Sequence, residues 1–118
     1  MTLEKFERQE IPDRPAVTIR KNGSLCINRS AIDEFNIGAM RFATLYFDEK
    51  ERLIGIKPEP DNTDPYVSTI SKERNRTSVI SCQGFLKHCG IPYRERSRVF
   101  KATWDDKSQM ILIKLDRV

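Results

Sequence analysis

The sequence predicts an α+β fold that is mostly β: two tandem ββαββ repeats packed with pseudo-two-fold symmetry into one barrel-like domain. Three observations predict it. A segment in the middle of the chain recurs near its end, each copy follows the same succession of short elements, and a Pro-rich stretch separates the copies.

Residues 46–58 lie over residues 103–115 without a gap. Five positions are identical (Asp48/Asp105, Lys50/Lys107, Ile54/Ile111, Ile56/Ile113, Lys57/Lys114), and Phe47/Trp104, Glu49/Asp106 and Leu53/Met110 are chemically close. Each segment reads as a β-hairpin. An apolar strand enters (42–47 and 99–104), a turn of Asp, Glu, Lys or Ser follows, and a second strand carries Ile at alternate positions up to Lys57 or Lys114.

Upstream, residues 25–28 and 78–81 read as short strands ending in a helix N-cap, Asn28 or Ser81, whose side-chain oxygen can accept a first-turn N–H. Helices over 29–35 and 82–89 follow. Ile32 and Phe35, like Phe85, Leu86 and Cys89, fall at helical spacing and face the core. Asn36 and Gly90 suit the left-handed residue that ends a helix, with Ile37 or Ile91 folding back as its apolar contact.

Ahead of these come strands over 16–21 and 66–71. The first leads into Asn22-Gly23, a dipeptide suited to a type I′ turn, and the second into a turn around 73–76. The stretch 58–65 carries three prolines and reads as a linker that no helix or central strand accommodates. The chain therefore divides into a flexible N-terminal arm (1–15) and a single domain (16–118). Within the domain, repeat one covers 16–58, a linker 59–65, and repeat two 66–115. Repeat two has three extra residues, which fall within 92–98. Neither copy can bury enough apolar surface alone to offset an ordering entropy of about 1–2 kcal/mol per residue, so the two must clasp.

Length and composition set the wider limits. The chain has 118 residues and weighs 13.8 kDa, with 38% hydrophobic and 32% charged residues, which fits one soluble globular core. Apolar runs are far shorter than the roughly 20 residues needed to cross a bilayer. The first ten residues lack the apolar stretch of a signal peptide, and three cysteines (Cys26, Cys82, Cys89) cannot all pair. The expected address is cytoplasmic, with no membrane partner.

The net charge of +4 is unevenly spread. Residues 1–60 carry ten Lys/Arg and ten Asp/Glu, whereas residues 72–101 carry eight basic residues against Glu73 and Glu95. A local excess of this size attracts phosphate backbones; a solvated Arg-rich loop accounts for the same residues. Tyr93, between Pro92 and Arg94, reads as the exposed aromatic of this stretch, able to stack on an unpaired base, whereas Phe100 alternates with core positions.

Residues 23–37, followed by 45–50 and 53–58, resemble the AbrB/SpoVT-like swapped-hairpin transcription regulators. The family's pattern is a short strand, a small helix ending in an apolar residue, then a strand hairpin ending in Ile/Leu-x-Lys-Pro, and the hairpin here ends in Ile54-Gly-Ile-Lys-Pro58. The chain departs from it at Arg29, where the family has Pro, and at Gly38-Ala39, where it has Gly-Asp. The resemblance implies a β-barrel of two interlocked copies, here from one duplicated chain and similar to the double-psi barrels. It also implies DNA binding through Arg20, Lys21 and Arg29, with Lys72, Arg74 and Arg76 as their second-copy counterparts. The charge peak adds Tyr93, Arg94, Arg96, Arg98 and Lys101.

Catalytic chemistry finds little footing. His88 is the lone histidine and falls late in a helix, and the cysteines lack the CxxC spacing of a zinc site, reading instead as buried small hydrophobes. Acidic pairs such as Glu49/Glu51 and Asp105/Asp106 lie in turns, where backbone chemistry alone favours them. The expectation is a non-enzymatic nucleic-acid-binding protein, a DNA-binding transcription-regulator-like module without metal or cofactor, open to homodimerisation. The alternative is a protein–protein adaptor or inhibitor using the basic loop and the sheet edges.

Overall fold

The structure is a computed structural model that describes residues 3, 14–62, 64–73 and 76–115. The expected N-terminal arm lies almost wholly outside the described residues. The elements are β1 (Ala16–Ile19), β2 (Ser24–Ile27), α1 (Arg29–Glu34), β3 (Phe42–Asp48), β4 (Leu53–Glu59), β5 (Ser68–Thr69) and β6 (Ser71–Lys72). They continue with β7 (Ser78–Ser81), α2 (Gln83–His88), β8 (Arg98–Asp105) and β9 (Met110–Lys114).

The strands form one sheet in the order β5-β3-β4-β9-β8-β1-β2-β7-β6, every neighbour antiparallel. Its two ends, β5 and β6, are consecutive in the chain and separated only by Ile70. The sheet is therefore nearly a closed barrel, joined where one strand kinks. At the kink Ile70 is buried, and its N–H donates to the Arg41 carbonyl at 2.7 Å. The continuous strand expected over 66–71 is replaced by this break, because its two halves pair with different partners, β3 and β7.

Alternation fills the interior. Ile54 and Ile56 on β4 stand opposite Ile113 and Ile111 on β9, while Leu25 and Ile27 on β2 stand opposite Ile80 and Ser78 on β7. The isoleucines among them, with Leu25, are fully enclosed, and each such side chain contributes about 1.5–3 kcal/mol of burial. Val17 and Ile19 from β1 and Leu86 from α2 belong to the same cluster. Pro58, expected in a linker, lies within β4 opposite Ala43. Pairing of β4 with β9 ends at Ile56, so on that flank no ladder bond requires the N–H that proline lacks.

The helix ends follow local chemistry. Asn28 caps α1, its Oδ1 accepting from the Ala31 N–H at 2.9 Å. The α2 cap is Cys82 rather than the expected Ser81, and its side chain makes no capping bond. Both helices close with a left-handed residue, Asn36 at φ 54° and Gly90 at φ 69°. The next N–H reaches back five residues in each case: Ile37 to Ile32 at 3.1 Å and Ile91 to Leu86 at 3.0 Å.

The β1–β2 turn is not type I′. Gly23 alone has positive φ (83°), its N–H donates to the Arg20 carbonyl, and the Arg20 N–H donates to the Ser24 carbonyl. This is the three-residue loop with a left-handed glycine. A Cβ on Gly23 would stand 2.2 Å from Gln83 Cγ, so the start of α2 rests against the space that glycine leaves. The β6–β7 turn has the same bonds with Arg76 at φ 59° in the glycine's place: Arg76 N–H to the Glu73 carbonyl, and Glu73 N–H to the Thr77 carbonyl. The β3–β4 and β8–β9 turns also match. Asp48 Oδ1 accepts from the Glu51 N–H and Asp105 Oδ2 from the Ser108 N–H, and each turn exits through a left-handed residue, Arg52 or Gln109.

Candidate functional site

A cleft of about 560 Å³ opens between the β3–β4 turn and the segment 90–98. Glu49, Lys50 and Arg52 line it from the turn, and Arg96 and Arg98 from the opposite side. Ile19, Ile91, Pro92, Tyr93, Phe100 and Leu115 supply an apolar floor. Four cations thus face one carboxylate over a hydrophobic base.

Local structure fixes both walls. Arg52 Nη1 donates to the Cys89 carbonyl at the end of α2 (3.2 Å), and its guanidinium carbon lies 5.3 Å from the Phe47 ring centre. That tethers the turn of one hairpin to the end of a distant helix. On the other wall, the Glu95 N–H donates to the Pro92 carbonyl and the Lys21 N–H donates to Ser97 Oγ at 3.3 Å. Arg98 then enters β8 opposite Ile19. The tip of the β1–β2 hairpin therefore sits beside the basic loop.

The sequence-predicted cations are distributed unevenly. Arg96 and Arg98 line the cleft, Lys21 abuts their loop, and Arg94 is exposed with its guanidinium 5.8 Å from the Tyr93 ring centre. Tyr93 itself, expected at the surface, is buried at 4% exposure, because the turn folds its ring beneath Arg94 and against Gly23. Arg20 is engaged by Glu73, Nη2 to Oε1 at 3.0 Å, which holds the Glu73 carboxyl below its ordinary value and raises Arg20. Arg29 pairs with Asp33 at 3.6 Å, and Lys72 Nζ donates to the Gly38 carbonyl. Lys101 lines a separate groove on the outer wall of the barrel with Val99, Leu112 and Lys114. Arg76 is exposed in its turn, and Arg74 lies outside the described residues.

No protein-family model, curated protein or solved structure matches the chain.

Lys50 and Arg52 are the cleft residues that charge counting passes over, since they belong to a half of the chain that is neutral as a whole. Their signal is positional: they occupy a turn, 48–52, whose sequence is similar to that of 105–109. Among the described residues no group of three or more His, Cys, Asp or Glu gathers to hold a metal ion. His88 is exposed on α2, and the three cysteines are free and buried. Burial pushes the Cys82 thiol up to about 12 and the Cys89 thiol up to about 11, which leaves both protonated and weakly nucleophilic at neutral pH. Among the described residues no helix is long and apolar enough to cross a membrane.

Proposed function

We propose that this chain is a non-enzymatic nucleic-acid-binding protein, a DNA-binding regulator-like module of the swapped-hairpin kind built as a tandem duplication. The observation that carries the reading is the convergence of Lys50 and Arg52 with Arg96 and Arg98 on one cleft, with the Lys21 backbone bonded to Ser97 of the same loop and Arg94 over the lining residue Tyr93. These cations come from separate parts of the chain, and only Glu49 opposes them among the lining residues. A field of this kind favours phosphate oxygens, and Arg offers them paired donors.

The strand registers support the duplication. If Cys26 corresponds to Val79 and Gly55 to Leu112, each pair stands on its own two-fold: Cys26 is opposite Val79, and Gly55 opposite Leu112. Ile54 opposite Ile113 and Ile56 opposite Ile111 then exchange under the same half-turn. Contacts cross between the halves as an interlocked pair would require. Phe35 after α1 stacks on Trp104 of β8 at 5.6 Å, while Arg52 after β3 bonds the end of α2. The adaptor reading has less to draw on, because the sheet ends in two-residue strands that are nearly joined.

The test is the dissociation constant for a labelled DNA duplex across ionic strength. The reading expects affinity to fall steeply as salt rises, and the triple substitution Arg94→Ala, Arg96→Ala, Arg98→Ala to weaken binding on every sequence tried. Affinity indifferent to salt, or no binding at low salt to the duplex or to its separated strands, ends it.

A further inference from the structure

We infer that the cleft between the β3–β4 turn and segment 90–98 takes one unpaired nucleotide, its phosphate at the cationic rim and its base over the apolar floor. This rests on the nucleic-acid reading above and specifies what that site holds. Size and chemistry argue it together. About 560 Å³ is the volume of a small-ligand pocket, far too confined for a duplex but sufficient for a single nucleotide unit.

The lining is also divided in the way a nucleotide is divided. Lys50, Arg52, Arg96 and Arg98 offer donors for phosphate, while Ile91 and Pro92, over the buried Phe100 and Leu115, offer an apolar surface. A duplex presents phosphates but keeps its base faces stacked on one another, so it leaves that floor uncovered. A splayed base covers it, and guanidinium planes such as those of Arg96 and Arg98 can stack on its face. Arg52 is already held against Cys89 and Phe47, so one wall is preorganised before any ligand arrives.

The same chemistry is offered by a free mononucleotide and by an unpaired residue within a strand. A single titration series separates them. Fluorescence anisotropy measures a short mixed-sequence oligonucleotide as a single strand and annealed to its complement, and deoxynucleoside monophosphates serve as competitors. The expected result is single-strand binding at least about tenfold tighter than duplex binding. Pro92→Trp, at an exposed position on the floor, should abolish that advantage so that the two constants converge. Lys50→Trp, filling the cleft from the opposite lip, should do the same.

Competition by the monophosphate alone at comparable affinity would identify the free nucleotide as the natural source; competition only at great excess would identify the strand. Equal binding of both polymers by the unaltered chain, or an advantage that survives both tryptophan substitutions, overturns the inference while leaving the nucleic-acid reading intact. Failure to bind either polymer ends that reading. In that case monophosphate binding that Pro92→Trp removes would keep the nucleotide site, and no monophosphate binding would remove it.

Discussion

Arg20 and Glu73 meet as a fork, Nη1 to Oε2 at 3.1 Å and Nη2 to Oε1 at 3.0 Å, across 53 residues of sequence. They are the first residues of two turns with the same hydrogen-bond pattern, so the pair ties one hairpin tip to the other. Arg20 Nη2 also reaches Cys26 Sγ at 3.1 Å. The pairing removes Arg20 from the pool of cations open to phosphate. On the proposed nucleic-acid reading, Glu73→Gln should release it, strengthening binding at low salt and steepening the salt dependence by about one phosphate contact. An unchanged slope would show that Arg20 remains engaged without the carboxylate.

The same pair predicts a pH dependence. Hydrogen bonding from Arg20 holds the Glu73 carboxyl below its ordinary value of 4.5. A carboxyl lowered by folding contributes stability that is complete above the unfolded value and is lost as pH falls through the folded one. The thermal midpoint should therefore decline as pH drops below about 4.5, and decline less in Glu73→Gln. Asp105, lowered by its bonds from Ser108, supplies part of the slope that remains. Parallel curves for the two proteins would contradict the assignment.

Asn28 joins three segments. Its Oδ1 accepts from Ala31 in the first turn of α1 and from the Ala16 N–H of β1, and its Nδ2 donates to the Arg14 carbonyl. Asn28→Ala should cost about 1–3 kcal/mol in chemical denaturation, more than an isolated cap, because three bonds are lost together. Asn28→Asp keeps the acceptor and should recover part of that loss. Equal losses in the two variants would place the energy elsewhere.

Tyr93 carries the opposite expectation. Its hydroxyl is buried and has no hydrogen-bond partner among the described residues, a state that costs about 1–3 kcal/mol of desolvation. Tyr93→Phe removes the hydroxyl and keeps the ring that packs against Gly23. Unfolding free energy should stay level or rise. A fall of about 1 kcal/mol or more would mean that the hydroxyl is satisfied, by water for example.

The thiols of Cys82 and Cys89 should resist modification in the folded protein. With burial raising them to about 12 and about 11, almost no thiolate exists near pH 8. Labelling by an aromatic disulfide, mapped by mass spectrometry, should be slow at both sites and become rapid in denaturant. Fast native labelling of either would refute the burial argument.

Much of the local structure was legible before any tertiary contact was known. The alternating isoleucines of β4 and β9, the Asp-led turns ahead of them, the Asn28 cap and the left-handed Asn36 and Gly90 all follow from chemistry within a few residues. So did the burial of Phe100 and the cysteines. The failures share a cause. Asn22-Gly23 suits type I′ in isolation, yet α2 docks against Gly23 and the loop takes another form. Pro58 reads as a linker residue until β9 is seen to stop short of it. The strand over 66–71 breaks because two distant neighbours claim its halves.

The chain's own order of residues determined the β4 and β9 strands, the Asn28 cap, which faces are apolar and where positive charge accumulates, since periodicity and capping act over one turn or one pleat. Only closure of the barrel decided that Tyr93 is covered, that Arg20 is paired with Glu73, and that Lys50 and Arg52 stand across from Arg96 and Arg98. Each of those outcomes depends on groups far apart in sequence being held within a few ångströms, and no short-range rule contains that information.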